Sequence, residues 1–76
     1  MINDNTVYLE PRKYLDRAIV GYHLVHECFI YDFCLLINAY MNMGWTCDDS
    51  VDHINYNIIS MTPNKYWPII QETYED

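Results

Sequence analysis

The sequence predicts an α-dominant α+β fold, with three helices and two short strands in a single small domain spanning residues 1–76. Apolar residues recur every three or four positions over much of the chain, which is the spacing of amphipathic helices. Hydrophobic residues make up 51% of the chain and aromatic residues 16%. That composition is sufficient for a core and differs from the composition of disordered chains.

The first helix is predicted over about residues 14–27. An apolar stripe at helical spacing supports it, formed by Leu15, Ile19, Tyr22, Val25 and Phe29. The alternative is a β-hairpin, because residues 18–20 and 28–31 also suit strands. No Gly, Asn or Pro turn joins those two segments. A helix followed by a short strand at about 28–31 is therefore preferred.

The second helix is predicted over about residues 33–43. Asp32 is the expected N-cap, and Gly44 is expected to end the helix, as glycines often do at the first position beyond the C-cap. The apolar residues expected to face the core are Phe33, Leu36, Ile37, Tyr40 and Met41.

The third helix is predicted over about residues 47–61 and has the clearest start signal in the chain. Residues 46–49 read as a capping-box variant, with Thr46 as N-cap and Asp49 at the third helical position. Only Gly44-Trp45 separates this helix from the second, so the two are expected to form an αα-hairpin. We expect Tyr56 to pack its ring on the first helix. The apolar stripe of the third helix comprises Val51, Ile54, Ile58 and Met61.

The second strand is predicted over about residues 67–70. Pro68 cannot donate a backbone hydrogen bond, so this segment is expected to be an edge strand. The strand at 28–31 is its expected neighbour.

The charge of the chain favours protein partners over nucleic acid or membranes. Eleven acidic and four basic residues give a net charge of −7, which repels phosphate and anionic lipid surfaces. The N-terminal residues lack the basic and apolar segments of a signal peptide. Three cysteines without paired spacing, Cys28, Cys34 and Cys47, are expected to be reduced thiols. Together these features predict a cytoplasmic protein.

Residues for catalysis or metal binding are sparse, and the sequence predicts no enzyme and no cofactor. His23, His26 and Cys28 form the single metal-like cluster. A zinc site needs three or four ligands and usually shows paired ligand spacing, which is absent here. Partly exposed histidines beside a buried cysteine are therefore the preferred interpretation of this cluster.

The predicted binding residues combine carboxylates with aromatic rings. Negative charge is favourable at the start of a helix, and Tyr and Trp are enriched at protein interfaces. We expect such a surface to bind a basic protein partner. The predicted partner-binding residues are Asp48, Asp49, Asp52, Tyr66, Trp67 and Tyr74.

The sequence also resembles a family of small, functionally uncharacterised proteins encoded by phages and their bacterial hosts. The matching segments follow one order along the chain. They are Asp16-Arg17-Ala18-Ile19-Val20-Gly21, Tyr31-Asp32, Gly44-Trp45-Thr46-Cys47-Asp48-Asp49-Ser50-Val51, Ile54-Asn55-Tyr56-Asn57 and Pro68-Ile69-Ile70.

The resemblance implies a phage protein that acts in the host cytoplasm. Small acidic phage proteins often bind and block host machinery, so an anti-CRISPR-like inhibitor of a host defence or host enzyme complex is the expected function. The resemblance thus implies that the partner is a basic host protein or nucleoprotein complex. The alternatives are a small metal-binding or regulatory domain and a structural homo-oligomer.

Overall fold

Three helices and a three-stranded mixed sheet make up the computed structural model, which describes residues 4–72. The elements in chain order are α1 (Arg12–Leu15), a 3-10 turn (Asp16–Ala18), β1 (Ile19–His23), β2 (Cys28–Asp32), α2 (Phe33–Asn42), α3 (Cys47–Ile54), a π-helical turn (Asn55–Ile59) and β3 (Ile69–Gln71).

The predicted fold is wrong in the first third of the chain. The single helix expected over residues 14–27 is a four-residue helix, a 3-10 turn and a strand. The sheet accordingly has three strands rather than two, because β1 pairs antiparallel with β2. The apolar spacing taken for a helical stripe instead places Tyr22 opposite Phe29 across the hairpin. Val25, the next member of that stripe, is 79% exposed at the hairpin tip.

The hairpin turn forms without Gly, Asn or Pro because Glu27 adopts the left-handed conformation itself, with φ 55°. That conformation costs a non-glycine residue roughly 1–2 kcal/mol. Hydrogen bonds offset the cost: the Glu27 N–H donates to the carbonyl of His23 at 2.7 Å, and the hydroxyl of Thr6 donates to the carbonyl of Glu27 at 2.8 Å. Thr6 is distant in sequence, so local sequence patterns cannot reveal this support.

The central strand of the sheet is β2. It pairs antiparallel with β1 and parallel with β3, with Ile30 opposite Ile69. A bulge at Val20 interrupts the β1–β2 ladder. The predicted pairing of the C-terminal strand with the strand at 28–31 is therefore present, with slightly later bounds for β3.

The second helix begins and ends at the signals present in the sequence. The Asp32 carboxylate accepts a hydrogen bond from the Leu35 N–H at 2.9 Å. At the other end Gly44 has φ 100°, and Trp45 and Gly44 donate to the carbonyls of Tyr40 and Met41. This pair of bonds is the Schellman arrangement, which satisfies carbonyls left open at a helix end. Both predicted caps of α2 are confirmed.

The core lies between the sheet and the helices. Leu15, Tyr31, Leu36 and Ile54 are fully buried and come from four different elements. α2 packs against α1, α3 and β2, so it contacts both other helices and the sheet. None of the helices within residues 4–72 combines the length and the apolar character needed to cross a membrane.

Candidate protein-interaction site

The predicted carboxylates lie at the start of α3 and are all exposed. Asp48 and Asp49 occupy the first turn, where the partial positive charge of the helix end stabilises them. No ion pair involves either residue or Asp52 within residues 4–72. The segment from Cys47 to Ile59 also contains no Lys or Arg. These three carboxylates therefore present negative charge to solvent without a neighbouring cation in their own helix.

The position of these carboxylates depends on the cap that starts α3. The Thr46 hydroxyl accepts a hydrogen bond from the Asp49 N–H at 3.1 Å, which confirms the predicted N-cap. The Thr46 carbonyl accepts bonds from both the N–H and the hydroxyl of the buried Ser50. Hydrogen bonds to Thr46 therefore fix the first turn of α3 both at the exposed Asp49 and at the buried Ser50.

We expect Thr46→Ala to lower the free energy of unfolding by about 0.5–2 kcal/mol, because it removes the acceptor of an N-terminal helix N–H. Urea unfolding followed by circular dichroism measures the change. Thr62→Ala is the matched control, since Thr62 is exposed and lies outside every helix and strand. Equal stability of the two variants would contradict the capping role.

Trp67 is hydrogen-bonded near the end of the helical segment that lies away from the Thr46 cap, and Tyr66 contacts the N-terminal segment. The Trp67 indole donates to the carbonyl of Ile58 at 2.8 Å, and its ring packs on the core. About 15 Å of helix axis separates Ile58 from Asp48. The backbone carbonyl of Tyr66 accepts a long hydrogen bond, 3.4 Å, from the N–H of Val7 in the N-terminal segment. Tyr74, the last predicted binding residue, lies outside the described residues.

A cluster of three rings packs at the start of α3, and none of the three is among the predicted binding residues. Tyr40, Trp45 and His53 contact one another, with ring centroids 4.8–5.1 Å apart. Trp45 immediately precedes the cap residue, and His53 lies one turn after Asp49. Burial raises the pKa of the Tyr40 hydroxyl above its ordinary value. This cluster packs the end of α2 and Trp45 against His53 of α3.

Tyr56 is the exposed ring on the same helix face as the carboxylates. It is 72% exposed, so the expectation that it packs on the first helix is wrong. It follows Asp52 by four residues and Asp49 by seven, and such residues share one face of a helix. We define the α3 outer face as Asp48, Asp49, Asp52 and Tyr56. The spacing was visible in the sequence, but the burial of Tyr56 could not be judged without the packing.

A π-helical turn carries Tyr56 at the end of this face. The Ser60 N–H donates to the carbonyl of Asn55 at 3.1 Å, which is the i to i+5 bond of a π-helix. The Ser60 hydroxyl also donates to the carbonyl of Tyr56 at 2.6 Å. π-helical turns are rare and often occur at functional sites.

The alternative metal cluster is not assembled. The rings of His23 and His26 are in tilted contact with centroids 4.5 Å apart, but Nδ1 of His23 accepts the backbone N–H of His26 at 3.1 Å. Burial raises the pKa of the Cys28 thiol, while a hydrogen bond from the backbone of Ile69 opposes this effect. A raised pKa disfavours the thiolate that binds zinc. Across residues 4–72, no three His, Cys, Asp or Glu side chains are grouped to hold a metal ion.

No protein-family model, curated protein or solved structure matches the chain.

Proposed function

We propose that this chain is a non-catalytic interaction protein that binds a basic surface of another protein through the α3 outer face. The observation that carries the proposal is the arrangement on α3: three exposed carboxylates and an exposed tyrosine share one face, and no cation within the helix neutralises them. Tyr offers a large contact area at low entropic cost, and it is enriched among residues that dominate binding energy.

The contacts that hold the start of α3 support the same function. The cap from Thr46 and the ring cluster beneath α3 hold the carboxylates in place before binding. A preformed surface loses less conformational entropy on association than a mobile one. Complementary charge also accelerates encounter with a basic partner.

The partner that we propose is a host defence or host enzyme complex in the cytoplasm of a bacterial cell. The resemblance to small phage and bacterial proteins supports this class of partner, and inhibition would follow from occupation of a basic surface. Host complexes that handle nucleic acid have such surfaces, because they bind phosphates with Lys and Arg. An anti-CRISPR-like or related anti-defence role fits this description. The net charge of −7 argues against direct binding of nucleic acid.

Reversal of charge on the α3 outer face tests the proposal. We expect the triple variant Asp48→Lys, Asp49→Lys and Asp52→Lys to lose both capture of a host partner from lysate and any protection of phage in an infection assay. Each change adds two charges, so the net charge moves from −7 to −1. Wild-type capture should also weaken as salt increases, since exposed charge pairs are screened.

A control with the same net charge separates the site from the overall charge. Asp4→Lys, Glu10→Lys and Glu72→Lys also give −1 and lie outside α3 at exposed positions. This control should retain partner capture. Because lysines at a helix start lower helix stability, the triple Asn variant is measured too, and circular dichroism must show that each variant is folded. Undiminished capture by both folded α3 variants would refute the proposal.

A further inference from the structure

The hairpin of β1 and β2 extends beyond the three-stranded part of the sheet. Within residues 4–72, β3 pairs only with residues 30–32 of β2, whereas the β1–β2 ladder continues to the pair of His23 and Cys28. We call residues 21–29 the outer hairpin. A two-stranded hairpin on its own is marginally stable in water, so the outer hairpin requires support from another part of the chain.

The N-terminal strap, which we define as residues 6–9, supplies part of that support through Thr6. The Thr6 side chain is buried, and its hydroxyl donates to the carbonyl of Glu27 at 2.8 Å. The same oxygen lies 3.2 Å from the hydroxyl of Tyr22 in β1. One side chain of the strap therefore joins a strand and the turn of the outer hairpin, although both are far from it in sequence.

The strap also connects the outer hairpin to the rest of the sheet. The ring of Tyr8 packs on Phe29 with centroids 4.7 Å apart. The next residue, Leu9, is buried in the core, and its N–H donates to the hydroxyl of Tyr31 at 2.9 Å. Because Tyr31 pairs with Ile70 of β3, the strap is anchored at Leu9 on the three-stranded part and reaches the outer hairpin from there.

Two features of the outer hairpin favour its opening. Glu27 has φ 55°, and a left-handed conformation of a non-glycine residue persists only where surrounding contacts enforce it. The bulge at Val20 interrupts the ladder at the base of the outer hairpin, and a bulge bends its strand locally. The turn is therefore strained, and the strand has a point of bending where the outer hairpin begins.

We propose that the N-terminal strap is a latch on the outer hairpin. When Thr6 and Tyr8 detach, Glu27 leaves its strained conformation, and the outer hairpin opens as one unit about the bulge while α2 and α3 remain folded. Native proteins open in such cooperative units. The tip of the outer hairpin carries the exposed Leu24 and Val25, so the latch controls whether these two apolar side chains occupy a fixed position. The inference does not depend on the function proposed above, because α3 belongs to neither the strap nor the outer hairpin.

The thiol of Cys28 reports the opening. Cys28 is buried in the outer hairpin, whereas Cys34 and Cys47 are exposed, so a chain with Cys34→Ser and Cys47→Ser keeps a single reporter. We expect DTNB to label Cys28 through an opening whose free energy is smaller than the free energy of global unfolding. The labelling rate should also depend weakly on urea, because a local opening exposes little surface. Labelling that requires the full free energy and urea dependence of global unfolding would overturn the proposal.

Removal of the Thr6 hydroxyl tests the latch. In the same cysteine background, Thr6→Val should accelerate labelling of Cys28 about tenfold or more, an effect of about 1.4 kcal/mol, because the carbonyl of Glu27 loses the hydroxyl donor. Thr6→Ser is the matched control, since it keeps the hydroxyl, and it should label much more slowly than Thr6→Val. If the two folded variants label Cys28 at the same rate, the strap does not hold the outer hairpin closed and the proposal is refuted.

A second pair of variants tests the strain at the turn. Glu27→Gly and Glu27→Ala both remove the exposed 3.8 Å ion pair with Lys65, but glycine alone adopts a left-handed conformation without steric cost. We therefore expect Cys28 to be labelled about fivefold more slowly in Glu27→Gly than in Glu27→Ala. Equal rates, with both variants folded by circular dichroism, would show that the strained turn does not drive the opening and would contradict the proposed mechanism.

Discussion

Replacement of Leu36 by Ala is expected to lower the free energy of unfolding by about 2–5 kcal/mol. Leu36 is fully buried in α2 and belongs to the core between the helices and the sheet. Truncation removes apolar contacts and leaves a cavity that close-packed neighbours fill only in part. A chain of this length has a total stability of about 4–11 kcal/mol. The loss is therefore large enough to populate the unfolded state.

Urea unfolding at low protein concentration measures this effect. Leu35→Ala is the matched control, because it makes the same chemical change in the same helix at a residue that is 39% exposed. The control should lose about 1 kcal/mol or less. If Leu36→Ala is no less stable than Leu35→Ala, the assignment of Leu36 to the core is wrong.

Tyr31→Phe is expected to lower the free energy of unfolding by about 1–3 kcal/mol. The Tyr31 hydroxyl is fully buried and accepts the backbone N–H of Leu9 at 2.9 Å. Phe preserves the ring but leaves that buried N–H without its acceptor, which costs the desolvation of the donor. Tyr56→Phe makes the same change at a largely exposed hydroxyl and should have little effect. Equal losses in the two variants would contradict this role of Tyr31.

The same hydroxyl predicts a loss of stability at alkaline pH. Burial raises the pKa of Tyr31 above its ordinary value, and the hydrogen bond from Leu9 opposes the shift. Because the pKa of Tyr31 is raised in the folded state, the contribution of its hydroxyl to stability is fully present below about pH 10. That contribution is lost as the pH rises towards the folded-state pKa. Tyr31→Phe should therefore lose less stability than the wild type above that pH. Unfolding of both proteins is measured from about pH 8 upwards, a range that includes the ordinary tyrosine pKa of about 10. The slope of the free energy of unfolding against pH should be smaller for Tyr31→Phe.

The sequence predicted the carboxylates of the candidate site but not its aromatic residue. The helix-start pattern located Asp48, Asp49 and Asp52 correctly on α3, because a cap and its first-turn acids are neighbours in sequence. The enrichment of Tyr and Trp at interfaces added Trp67 to the predicted site, whereas its indole is hydrogen-bonded to the carbonyl of Ile58 near the end of the helical segment. A separate expectation, that Tyr56 packs on the first helix, is wrong because its ring is exposed. Which aromatic rings remain exposed for binding depends on what each ring packs against, and only the tertiary structure determines that packing.

Local signals in the sequence determined the two long helices of this protein, since Asp32, Gly44 and Thr46 act on backbone groups within a few residues of themselves. The tertiary structure alone decided the hairpin of β1 and β2. The segment around Gly21 suits a helix or a strand by periodicity. Pairing with β2 and the contact from Thr6 to Glu27 favour the strand. Such contacts stabilise a conformation only when distant parts of the chain are already close, so no local pattern encodes them.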